Sequence, residues 1–289
     1  MTVVRNAFLQ TAEDGGVCRV TRIRSPNTER SQPVVLLPGM FTSRRFWLSD
    51  KDIGLAAYLA EQGFDSWITE RRGIGDVDPQ ARAGADEHVR LDLPLLADRI
   101  LRETGQAPFW LGHSFGGQLA AKAANETVPA DAVAGLILIA TQTERGKRWL
   151  VPPLSTAVIT MTRLLGRVPA RLAGLGPEDE PAAAVLDSVA WTVDARKTGG
   201  WPARLATLET PVLAVASSHD TVDPADGCRH LFDQIGSTDK TWWLLEPGAE
   251  MSATFDHPGI VVSKPARTHV WPGLAHWMQS RSEPVTSVA

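Results

Sequence analysis

Short apolar runs recur along this chain with amphipathic stretches between them, and that alternation restricts the fold more than any other feature. The runs are residues 34–37, 64–69, 109–111, 136–140, 212–216 and 242–245. Each is almost continuous in apolar residues, the pattern of a strand buried on both faces. Between them the period lengthens. Ile53, Ala56, Leu59 and Ala60 share one helical face, and Gly63 follows as a stop. Asp92 is a candidate N-cap, Pro94 lies in the first turn, and Leu96, Ile100 and Leu101 extend a face that ends at Gly105. Strand–helix alternation of this kind predicts an α/β fold, a mostly parallel sheet with helices on both sides. Ahead of it, 3–10 and 17–23 flank Glu13-Asp14-Gly15-Gly16, a turn composition, so the chain should open on an antiparallel pair.

One interval breaks the rhythm. Residues 142–206 separate two strand candidates by far more than an ordinary loop. Leu154, Val158, Met161 and Leu165 recur at helical spacing after Pro152-Pro153, and 182–191 reads as a second helix. Glu178, Asp179 and Glu180 precede that helix, where its dipole favours negative charge. The expected organisation is a core of 1–141 and 207–289 with a helical cap at 142–206. The cap's apolar side chains, Leu154 and Met161 among them, would line a pocket.

Composition narrows the chemistry. In 289 residues the apolar share is 43%, the charged share 21% and the formal charge −4, as in a folded water-soluble protein. No basic stripe offers a nucleic-acid surface. No secretory leader and no run of transmembrane length is visible, which suggests the cytoplasm. Cys18 and Cys228 form neither a disulfide framework nor a zinc cluster and read as free thiols. No HExxH occurs, Gly73-Ile74-Gly75 lacks the third glycine of a dinucleotide loop, and there is no Walker A sequence, so neither metal nor cofactor is implied. Oligomeric state leaves no trace in the sequence.

The strongest chemical signal is Gly112-His113-Ser114-Phe115-Gly116. G-x-S-x-G alone is common. Here the apolar strand Phe109-Trp110-Leu111 runs into it and a small-residue helical stretch, 118–124, runs out. That strand–turn–helix setting is what a nucleophile elbow requires. Gly112 and Gly116 would remove side chains that collide with neighbouring elements, and Ser114 would stand at the helix N-terminus with its hydroxyl exposed.

With the elbow in place, the chain from Pro33 to its C-terminal helix resembles an α/β-hydrolase. Leu37-Pro38-Gly39-Met40 is similar to the family's His-Gly-x oxyanion turn, with Pro38 in place of His. Glu70-Arg71-Arg72-Gly73-Ile74-Gly75 resembles its Asp-x-Arg-Gly-x-Gly loop, with Glu for Asp. Asp92-Leu93-Pro94 and the segment from His257-Pro258-Gly259 to Trp271 are similar to acid-lipase-like and polyhydroxyalkanoate-synthase-like branches. Those synthases carry Cys at the elbow, so Ser114 favours hydrolysis.

The resemblance implies a Ser–Asp–His order along the chain. The family pattern small-x-x-Asp-x-Val-x-Pro falls on Asp220, with Asp223 the alternative carboxylate. The base should lie in a loop after the last strand. His257 fits, whereas His269 and His276 fall on a terminal helical pattern and His113 is fixed in the elbow, pointing away from the serine. The backbone N–H groups of Met40 and Phe115 are the expected oxyanion donors. The implied activity is hydrolysis of carboxylic esters with apolar acyl groups, through an acyl-enzyme on Ser114 served by His257 and Asp220. A thioesterase or acyltransferase with the same residues, or a ligand-binding member without catalysis, is the alternative.

Overall fold

A computed structural model describes residues 3–26, 31–143, 150–248 and 252–282. Among the described residues there are ten strands: β1 Val4–Thr11, β2 Val17–Arg24, β3 Gln32–Leu37, β4 Phe64–Thr69, β5 Phe109–His113, β6 Gly135–Ile139, β7 Arg167–Val168, β8 Glu180–Pro181, β9 Val212–Ser217 and β10 Lys240–Leu245. Eight form one sheet in the order β1-β2-β4-β3-β5-β6-β9-β10. β1 pairs antiparallel with β2 and β2 antiparallel with β4, while every pairing from β4 to β10 is parallel. The expected α/β fold and opening hairpin are therefore both present.

The apolar runs are continuous because the sheet feeds two cores. Side chains alternate across a strand. Val34, Leu36, Phe109, Leu111, Ile137 and Ile139 enter one buried cluster with helix Leu55–Glu61 and the C-terminal helix Trp271–Gln279. Val35, Leu37, Trp110, Leu136 and Leu138 enter the other, with helices Leu93–Thr104 and Phe115–Glu126. At roughly 1.5–3 kcal/mol for each fully buried large apolar side chain, these two clusters dominate the driving force. Cys18 and Cys228 are buried and form no disulfide. No helix among the described residues is long and apolar enough to cross a membrane.

From β3 the chain moves to β4 on one side and then returns to β5 on the other. Such a reversal opens a crevice at the carboxyl ends of the strands, where ligands of open α/β sheets bind. The turn after β3 and the turn after β5 both face it.

Several local expectations need correction. Ile53 stands outside its helix, which starts at Leu55 after Gly54, and is 59% exposed. Asp92 caps nothing: it continues a π-turn over His88–Asp92, and its buried carboxylate binds Arg72 and His88 instead. Helix Leu154–Leu165 forms where expected but inverted. Ser155 and Thr162 are buried, while Leu154, Met161, Leu164 and Leu165 are 40%, 56%, 77% and 53% exposed. Small side chains permit close approach to the neighbouring helix Ala182–Ala195, and periodicity defines a face without saying which way it turns. Leu154 and Met161 thus face outward from this helix instead of into its packed side. Glu180 is no exposed dipole partner either, being fully buried against Arg71. Residues 144–149 of the expected cap lie outside the described residues.

Candidate active site

Strand β5 ends at His113, and helix Phe115–Glu126 begins one residue beyond Ser114. Ser114 has φ 54° and ψ −121°, a backbone conformation few non-glycine residues adopt. The two glycines make that turn possible. A Cβ on Gly112 would lie 2.3 Å from the Gly116 carbonyl oxygen, and one on Gly116 would lie 2.1 Å from that of Leu37. Ser114 N–H donates to Ile139 O at 2.9 Å, tying the turn to the end of β6. The Phe115 N–H, first in its helix, and the Met40 N–H after β3 donate to no described residue.

Asp220 and His257 meet from two loops. Asp220 follows β9, and its Oδ1 accepts from the backbone N–H groups of Val222 and Asp223 at 2.8 and 2.9 Å. Those bonds fix the carboxylate with Oδ2 at 2.8 Å from His257 Nδ1. The loop carrying His257 is itself anchored, because Ser217 Oγ donates to Phe255 O at 2.6 Å. An acid bonded at Nδ1 leaves Nε2 as the free nitrogen of the imidazole.

His113 does not simply point away. Its ring lies 4.5 Å from Phe46 and 4.6 Å from His257, centroid to centroid. Its Nε2 is 2.8 Å from His257 O, and a carbonyl only accepts, so Nε2 carries the hydrogen. Burial, with His257 beside it, pushes the His113 pKa down to about 3, so the ring is neutral. His113 thereby props the backbone of the residue behind it in space. Sequence reasoning passed over this bond, since nothing local to position 113 announces a partner 144 residues away. His269 and His276 are exposed on helices Lys264–His269 and Trp271–Gln279.

The alternative carboxylate is also at the site. Ser114 Oγ donates to Asp223 Oδ2 at 3.0 Å, and among the described residues no hydrogen bond joins it to His257. Gln142 Nε2 holds the other oxygen of Asp223 at 2.7 Å. One aspartate therefore bonds the imidazole and the other the hydroxyl.

The triplet Glu70-Arg71-Arg72 after β4 braces the surroundings, each residue in a different direction. Glu70 Oε1 accepts from Arg44 N at 2.9 Å, and burial raises its pKa. Arg72 binds Asp92 and Asp14 through paired hydrogen bonds. Arg71 reaches the turn after β3, donating to Pro38 O at 2.9 Å and Gly39 O at 3.1 Å.

Comparison with known proteins agrees with this architecture. The solved structure of DcsB in complex with its substrate analogue superposes with a TM-score of 0.72 at 17% identity, covering 97% of this chain and 100% of that one. A soluble variant of monoglyceride lipase from Saccharomyces cerevisiae gives 0.72 at 17% identity, covering 98% and 97%. At such identities the likeness is one of fold. Triacylglycerol lipase 2 of Arabidopsis thaliana is 37% identical over 98 residues, 30% of this chain and 23% of that protein. Tear acid lipase-like protein of Mesocricetus auratus is 32% identical over 125 residues, 37% and 31%. The chain therefore matches about a quarter to a third of the length of these curated relatives. The family model described as serine aminopeptidase, S33, matches residues 32–249, three quarters of the chain and every strand from β3 to β10. On that match the chain belongs to the serine aminopeptidase, S33 family of α/β-hydrolases.

Proposed function

We propose that this protein hydrolyses carboxylic esters through an acyl-enzyme on Ser114. The observation that carries the reading is the backbone of Ser114, held at positive φ where β5 meets its helix, with the bonded Asp220–His257 pair in the loops beyond β9 and β10. Strain of this kind persists only where the surroundings impose it, and it clusters at functional sites. The lipase names among the relatives favour an ester over other acyl derivatives.

The reaction begins with rotation of Ser114 Oγ from Asp223 towards the free Nε2 of His257. His257 takes the hydroxyl proton as Oγ attacks the ester carbonyl, and Asp220 stabilises the imidazolium. The developing oxyanion is received by the N–H groups of Met40 and Phe115, each contributing on the order of 3 to 4 kcal/mol. As the carbonyl re-forms, the C–O bond to the alcohol breaks and His257 returns the proton to the departing oxygen. Water, deprotonated by His257, then attacks the acyl-enzyme, and the proton passes back to Ser114 Oγ as the acid leaves. In this reading 142–206 is a cap over the site. Its Trp191 stacks on Phe115 with ring centroids 5.5 Å apart, and Val222, between the two aspartates, is 56% exposed. The exposed valine favours an apolar acyl group, while Trp191 and Phe115, both buried in the second core, seat the cap.

A panel of nitrophenyl esters and acyl-CoAs, with and without a competing alcohol, tests the assignment. The expected result is ester turnover that rises from acetate to longer acyl chains, releases free acid and disappears in Ser114→Ala. Turnover of acyl-CoAs alone, or transfer to the alcohol in place of hydrolysis, would contradict it.

A further inference from the structure

The insertion between β6 and β9 reaches into the oxyanion turn. Glu180 of β8 is fully buried, and its carboxylate receives Arg71 at two points, Nε to Oε1 at 2.9 Å and Nη2 to Oε2 at 2.8 Å. The same Oε2 accepts the Phe41 N–H at 2.8 Å, while the Phe41 carbonyl accepts the Glu178 N–H at 3.0 Å. Phe41 itself has φ 62°. The insertion thus clasps both peptide groups of a left-handed residue one position after Met40.

We infer that the Arg71–Glu180 pair sets the orientation of the Gly39–Met40 peptide and so makes the insertion a working part of the oxyanion hole. The inference rests on the reading of Met40 as an oxyanion donor. A planar trans peptide points its C=O and N–H in opposite directions. The Gly39 carbonyl is held by Arg71 Nη2 at 3.1 Å and by Thr42 Oγ1 at 2.8 Å. The Met40 N–H consequently faces away from Arg71. Gly39 itself lies against the elbow: a Cβ there would stand 3.3 Å from Ser114 Cβ. Were the carbonyl released, the peptide could turn over and aim oxygen, not hydrogen, at the developing negative charge. Arg71 and Glu180 act through the peptide and not on the substrate, so both are positioning residues. Arg71 is also the variable position of the Asp-x-Arg-Gly-x-Gly loop, the equivalent of the loop's own arginine being Arg72.

An alkyl trifluoromethyl ketone is the appropriate probe, because its serine adduct carries the oxyanion while an ester in the ground state does not. Removing one partner alone would strand a buried charge, so the test uses the neutral pair Arg71→Met with Glu180→Gln. The expected result is a melting temperature within a few degrees of wild type and KM within about threefold. Both kcat and ketone affinity should fall by about a hundredfold, the size reported for losing one oxyanion donor. Thr42→Val, which leaves the insertion untouched, should move both in the same direction by about tenfold. Arg71→Lys, which keeps the charge but not the fork, should fall between wild type and the pair. If the pair variant does not fold, Arg71→Lys and Thr42→Val decide. Ketone affinity and kcat within about threefold of wild type in the folded variants would overturn the inference while leaving the serine reading intact. A wild type that forms no ketone adduct, with Ser114→Ala still active, would overturn the serine reading and this inference with it.

Discussion

The elbow strand and the insertion bury different mixtures of residue. Every residue of β5 is buried, and its apolar side chains enter the two cores alternately. In the insertion Ser155, Thr162, Glu178, Glu180, Asp187, Ser188 and Thr192 are buried beside apolar Val185, Val189, Trp191, Trp201 and Leu205, while Leu164 and Leu172 are 77% and 92% exposed. Beside the packing of Trp191, Trp201 and Leu205 into the second core, it is tied to the body by directed polar bonds: Glu180 to Arg71, Asp187 to Arg82 and to Asp86 N, and Trp191 Nε1 to Asp86 at 2.8 Å. Apolar burial is non-directional and fills volume, whereas charge-assisted hydrogen bonds fix direction. The core supplies stability on which a strained serine can be carried. The insertion supplies orientation at the mouth of the site.

Substitutions that break this contrast should differ in kind. In the core loops the proposed chemistry is exposed directly. His257→Ala should lower kcat by about 10⁴ or more at unchanged melting temperature, and adding Ser114→Ala should cost little further, since such residues act as a unit. Retention of most activity would move the role to His269 or His276. The two aspartates can then be separated. Asp220→Asn should cost about 10⁴ in kcat because the imidazole loses its acceptor, and Asp223→Asn about tenfold because it only holds the resting hydroxyl. The reverse ranking, read from the same kinetics, would make Asp223 the essential carboxylate.

Stability should divide along the same line. Leu111→Ala, in the middle of β5, should cost about 2–5 kcal/mol in denaturant unfolding. His113 links stability to pH. Its folded pKa of about 3 lies below the ordinary 6.5, so between those values the unfolded chain binds the extra proton. Stability should therefore be complete above pH 6.5 and fall by up to about 1.4 kcal/mol per unit as pH drops towards 3. His113→Gln should flatten that slope, and an unchanged slope would assign it to other groups. The smallest effect belongs to the insertion's surface: Leu172→Ser should change unfolding free energy by less than about 0.5 kcal/mol. A loss like that of Leu111→Ala would mean that this leucine is covered in solution.

The contrast also explains what was legible in the sequence. The sheet, the elbow and the pairing of Asp220 with His257 follow from signals local to each segment: strand-length apolar runs, glycines flanking Ser114, and an aspartate and a histidine in loops after late strands. The partners of the insertion carry no such signal. Glu180 is 109 residues from Arg71 in the chain and reads as one acidic residue of three before a helix. The helical period of Leu154, Val158, Met161 and Leu165 predicts a face, but which face turns inward depends on the surface it meets. The Asp223 bond to Ser114 was likewise hidden, although Asp223 was already a candidate, because both aspartates share one turn and only its fold decides which oxygen each one meets.

The most direct test of the central claim is covalent. Fluorophosphonate treatment followed by intact mass and peptide mapping should find one adduct per chain, on the peptide containing Ser114, with loss of ester hydrolysis in proportion to labelling. An adduct on another residue, or full hydrolysis by protein that takes no label, would contradict the account.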